Sequence, residues 1–154
     1  MTAEPIAQPR AKANAPLAIA AGGLIAGTLD LAQAFIFFGK RVPFAIAGGL
    51  LGPAAFQGGP GTYVLGVLLH FFIASSATAV YYGASRKLSF LKEHPVVCGL
   101  FYGMAVELVM SYIVLPLSAL QSKGPYTLHD VLLGLVVHML VVGLPISFSV
   151  RRFG

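Results

Sequence analysis

Four apolar stretches, residues 16–38, 61–83, 95–115 and 128–150, take up most of the 154-residue chain. Each reaches the length of about 20 residues that a helix needs to cross the hydrocarbon core of a bilayer. Each also carries an ionisable or imidazole side chain near its middle: Asp30, His70, Glu107 and His138. A carboxylate at that depth costs roughly 2.5 to 3.5 kcal/mol on insertion scales, so such groups turn toward protein or a wet cavity. The backbone must therefore be helical and the helices must bring these four side chains inward. Composition points the same way, because 57% of residues are hydrophobic and 10% are charged. A typical soluble domain has about 25% charged residues, and no soluble core hides this much apolar surface.

The connections are short. Residues 1–15 are polar and Ala-rich, with Arg10 and Lys12, and read as a disordered cytoplasmic tail. Ala32, Gln33 and Ala34 form a small-x-small pattern of the kind found at signal-peptide cleavage sites, but the apolar run continues through Phe35, Ile36, Phe37 and Phe38 as a span does. Residues 44–56 are moderately apolar and too short to cross. With Gly48, Gly49, Gly52 and Pro53 among them, they read as an interfacial or re-entrant helix between the first two spans. Gly58, Gly59, Pro60 and Gly61 form a turn that ends it. Pro95 suits the first turn of the third span, Pro116 is expected to stop that span, Gly124 and Pro125 make a turn, and Thr127 caps the fourth.

The expected fold is all-α: a single membrane domain over residues 16–154, with four transmembrane helices in an antiparallel bundle. Arg10, Lys12, Arg86, Lys87, Lys92, Arg151 and Arg152 fall on one side, against Lys40, Arg41 and Lys123 on the other. This bias places both termini in the cytoplasm. The net charge of +5 then reports topology and contact with anionic lipid, and no basic cluster with interleaved aromatics argues for nucleic acid. The single cysteine, Cys98, forms no intramolecular disulfide and reads as a small buried hydrophobe.

With a rise of about 1.5 Å per residue, all four polar residues lie within roughly 5 Å of their span midpoints, displaced toward the same side. Facing agrees with depth. Gly99, Gly103, Glu107 and Ser111 form one small-residue stripe, Gly23, Gly27, Asp30 and Ala34 another, and Asp130, Gly134 and His138 a third, while Gly66 and Ala74 flank His70. Such stripes are where membrane helices approach closely, which makes Gly23, Gly27, Gly99 and Gly103 the packing candidates. If sequence neighbours pack, His70 can meet Glu107 and Asp30 can meet His138, giving two carboxylate and imidazole pairs.

Three main readings of the cluster stay open, with lipid binding and intramembrane hydrolysis behind them. It fixes helix packing by hydrogen bonds, it handles protons or ions, or it holds a metal or haem. Two imidazoles and two carboxylates suit zinc or iron, but no HxxxH or ExxH spacing supports a site, and no cofactor is predicted. His129 and Asp130 lie where an interfacial helix cap is expected. No nucleophilic serine motif, Gly-rich phosphate loop or Walker-type signature argues for an enzyme. Four helices enclose little space, so a transport path would draw on a homodimer or on residues 44–56 folded over the mouth.

The Gly23 to Gly27 stripe, His70 in the second helix, Pro116-Leu117 closing the third, His138 in the fourth and the terminal Arg151-Arg152 together resemble the YagU-like group of bacterial inner-membrane proteins. The chain departs from that group in having no tryptophan. What the resemblance implies is an inner-membrane location and a link to acid tolerance.

Overall fold

The computed structural model describes residues 14–123 and 127–154, so most of the expected tail and the Gly124-Pro125 turn lie outside the described residues. Asn14 and Ala15, read from sequence as the end of the tail, instead start the first helix. The Asn14 side chain accepts from the Leu17 N–H, and its backbone N–H donates to Phe153 O at 2.8 Å.

The described residues are helical, with no strand among them. Four helices are long and apolar enough to cross a membrane: α1 (Ala15–Phe38), α3 (Pro60–Ser85), α5 (Pro95–Leu117) and α6 (Leu128–Phe153). Between the first two lies α2 (Val42–Leu51), continuing as a 3-10 helix over Gly52–Gln57, and a single turn, α4 (Phe90–Glu93), precedes α5. Large apolar side chains such as Leu24, Ile36, Phe72, Phe101 and Leu132 stand exposed, whereas Thr78, Ser85, Ser147 and Ser149 are buried. That distribution belongs to a membrane protein, whose outer surface faces lipid and whose helix seams are lined by small residues.

Packing follows the glycines. Gly23 lies against Ser75 and Gly27 against Phe71 and Ala74, so α1 and α3 run antiparallel. Gly99 meets Gly143 and Ser147, and Gly103 meets the backbone of His138 and Met139, which sets α5 antiparallel to α6. The other face of α1 reaches α6 through Gly22 and Ser149. Near the Pro95 end, α3 and α5 touch through aromatic side chains: Tyr102 OH donates to Ala77 O at 2.6 Å, and the rings of Tyr81 and Tyr102 lie 4.8 Å apart. Tyr81 belongs to a small buried cluster with Ala26, Val142, Ile146 and Val150.

Two features depart from the sequence reading, and they share a cause. Pro116 does not stop the third span, which continues to Leu117. Met110–Val114 and His138–Gly143 are both π-helical, with Leu115 N–H bonding Met110 O and Leu144 N–H bonding Met139 O, five residues back. Proline has no N–H, and its ring collides with the carbonyl four residues earlier. A wide turn just before Pro116 and before Pro145 absorbs both problems and keeps the helix going. In α6 the wide turn also carries the contact face across: the four-residue step from Gly134 to His138 is followed by a five-residue step to Gly143, then four to Ser147. Without the extra residue, Gly143 and Ser147 would rotate away from α5.

The α2 segment is a helix laid on α3, where Gly66 sits so close to Pro43 that a Cβ would overlap the Pro43 carbonyl. Its far face reaches the turn after α5, with Ala119 N–H donating to Gly49 O at 2.9 Å. Gly66→Ala is therefore expected to lift α2 while leaving the four long helices folded. Amide hydrogen exchange over residues 42–51 should rise about tenfold or more, with global stability nearly unchanged. Unchanged protection there would contradict the contact.

Candidate functional site

The four polar residues form two carboxylate–imidazole pairs, each between consecutive long helices. His70 Nε2 lies 3.9 Å from Asp30 Oδ2, and His138 Nδ1 lies 3.0 Å from Glu107 Oε2. The pairing is thus the reverse of the sequence expectation, in which His70 meets Glu107 and Asp30 meets His138. The reason is that the glycine seams join α1 to α3 and α5 to α6, so the first span pairs with the second and the third with the fourth.

On the α5 and α6 side, Glu107 is 8% exposed and fully engaged. Ser111 Oγ donates to Glu107 Oε1 at 2.8 Å. Gly134 makes room for the carboxylate, since a Cβ there would lie 2.6 Å from Oε1. His138 Nδ1 is also 3.0 Å from Gly134 O. Both neighbours of Nδ1 are acceptors, so Nδ1 carries the proton and donates to them. Among the described residues nothing bonds Nε2.

On the α1 and α3 side, His70 Nε2 donates to Gly27 O at 2.8 Å. The close approach of α1 to α3 at Gly27, where a Cβ would meet Phe71 and Ala74, brings the imidazole to that carbonyl and its edge toward Asp30. Replacing His70 with Phe, which keeps much of the ring volume, is expected to lower stability by about 1 kcal/mol, the scale of one interhelical hydrogen bond in a membrane protein. Denaturation of the detergent-solubilised protein measures it, and no change in midpoint would contradict the bond.

The two pairs are not isolated from each other. Asp30, His70 and His138 all line one cavity of 330 Å³ between α1, α3, α5 and α6. Asp30 on α1 and His138 on α6 both face this one space. Its walls are otherwise apolar, with Ile73, Met110 and Val142 among them, and Ala45, Ile46, Gly49 and Leu50 of α2 cover it on one side. Glu107 does not line it and stands behind His138. The arrangement reads in order as Ser111, Glu107, His138, the cavity, then Asp30 and His70. The wide turns of α5 and α6 lie beside this line, and such turns are frequent where a helix carries function. Proline inside a span was the signal for them.

His129 and Asp130 take no part. Their side chains lie 3.6 Å apart at an exposed helix start. There the Thr127 hydroxyl accepts from Asp130 N–H at 3.1 Å and donates to Asp130 Oδ2 at 2.6 Å, a reciprocal cap. Among the described residues no group of three or more His, Cys, Asp or Glu is gathered closely enough to hold a metal ion. Compared with protein-family models, curated proteins and solved structures, the chain matches none.

Proposed function

We propose that this membrane protein exchanges protons through Asp30, His70, Glu107 and His138, with the cavity as the point of entry. The observation that carries the reading is the placement of His138, whose Nδ1 is held by Glu107 and Gly134 while its ring lines the cavity shared with Asp30. An imidazole held at one nitrogen and open at the other is suited to pass a proton between a buried carboxylate and the Asp30 side of the cavity. Intramembrane acids and histidines mark proton and ion routes by default. The bacterial inner membrane is the proposed location, with both termini cytoplasmic. That orientation puts Arg86, Lys87, Lys92, Arg151 and Arg152 inside. Reporter fusions after Arg152 and within residues 58–61 should then report opposite sides. A role in acid tolerance, as in the YagU-like group, fits the same chemistry.

A packing role is the second reading. The hydrogen bond from His70 to Gly27 O favours it, because it ties α1 to α3 directly.

Proton flux separates the two. In liposomes loaded with a pH-sensitive dye, the wild-type protein should collapse an imposed pH gradient faster than protein-free vesicles. Asp30→Asn should slow it about tenfold or more with the melting midpoint retained. A wild type indistinguishable from empty vesicles would leave only the packing role.

A further inference from the structure

The hydrogen bonds at the cavity floor also decide what kind of molecule fits there. His70 spends its Nε2–H on Gly27 O, and His138 spends its Nδ1–H on Glu107 and Gly134 O. With both imidazoles neutral, the floor presents acceptors: the Asp30 carboxylate and the unbonded Nε2 of His138. The walls are apolar, and the volume of 330 Å³ falls in the range of small-molecule sites. The rim residues Leu50 and Phe72 are both exposed. The cavity therefore opens beside α2 and α3 onto a surface that faces lipid.

We infer that this cavity binds an apolar ammonium, a protonated amine on a hydrocarbon body that enters from the bilayer and places its N–H donors on Asp30 and His138. A neutral alcohol brings one donor and no charge, and a fatty carboxylate brings a charge of the wrong sign. Only the ammonium meets the carboxylate, the imidazole lone pair and the apolar walls together. The inference rests on the proton-exchange reading to the extent that amine and proton compete for Asp30.

Photoaffinity labelling tests it on the full chain in phosphatidylcholine vesicles, using a decylamine that carries a mid-chain diazirine, with the matching alcohol and carboxylate as controls. The amine should label residues 69–73 and 106–114, excess unmodified decylamine should compete it away, and the alcohol should not concentrate there. Asp30→Asn should cut labelling about tenfold or more, as expected for loss of a desolvated charge partner. Met110→Trp, which fills the cavity and leaves the acid in place, should do the same if Asp30→Asn fails to fold. Equal labelling of the two segments by amine and alcohol would overturn the inference. So would label spread evenly over the lipid-facing helices, or wild-type labelling in both variants. Labelling reads occupancy and not flux, so its failure leaves proton exchange standing, and absent flux leaves bound amine standing.

Discussion

Gly103→Ala is expected to destabilise the protein by about 3 kcal/mol, the upper range for overpacking a seam that has no room. The added methyl would overlap the His138 carbonyl and the Met139 backbone. Backbone cannot swing aside as a side chain can, so α5 and α6 would have to part along the seam that also includes Gly99 and Gly143. Gly83→Ala is the natural control, because a Cβ at Gly83 meets nothing within 4 Å. There the same substitution should stabilise by about 0.5 kcal/mol through helix propensity alone. Both are measured as shifts in the denaturation midpoint of the solubilised protein. Equal behaviour of the two variants would mean that α5 and α6 do not touch through their backbones.

Glu107→Gln is expected to abolish most proton flux, by about a hundredfold, while the protein stays folded. The amide keeps the shape of the side chain and an oxygen for the His138 Nδ1–H, but it takes up no proton. Glu107→Leu should behave differently. It leaves the Nδ1–H with only Gly134 O and removes the acceptor for Ser111 Oγ. Breaking one side of a buried pair costs about 3 to 5 kcal/mol, so this variant should lose stability as well as flux. If Glu107→Gln conducts like wild type, the carboxylate is a packing group and not a proton carrier.

Much of this architecture is legible in the sequence. Span length and apolarity mark the four long helices, and the glycine stripes mark the faces that pack. Glu107, His70, Asp30 and His138 stand out because charge is rare in such stretches. What a stripe does not contain is the identity of its partner. Gly27 marks a close approach without naming the helix that makes it, and only the packing of α1 on α3 brings His70 to its carbonyl. The wide turns are harder to see for another reason. Pro116 reads as a stop signal when the α-helix is the only helix considered, and Pro145 falls within a run that looks continuous. Their effect appears once the missing N–H groups are followed to the carbonyls they leave free. The position of α2 depends on contacts such as Gly66 against Pro43 and Gly49 O with Ala119 N–H, which join residues with no shared pattern.

The claim at the centre of this account is that His138 is held at Nδ1 and exchanges its proton at Nε2 toward the cavity. Nitrogen-15 NMR of the histidine side chains in lipid bilayers reads both atoms directly. The account predicts Nδ1–H as the resting form, with an Nε2 that gains its proton as pH falls and whose titration moves in Asp30→Asn. A bare Nδ1 with a permanently protonated Nε2, or an Nε2 that ignores pH, would contradict it.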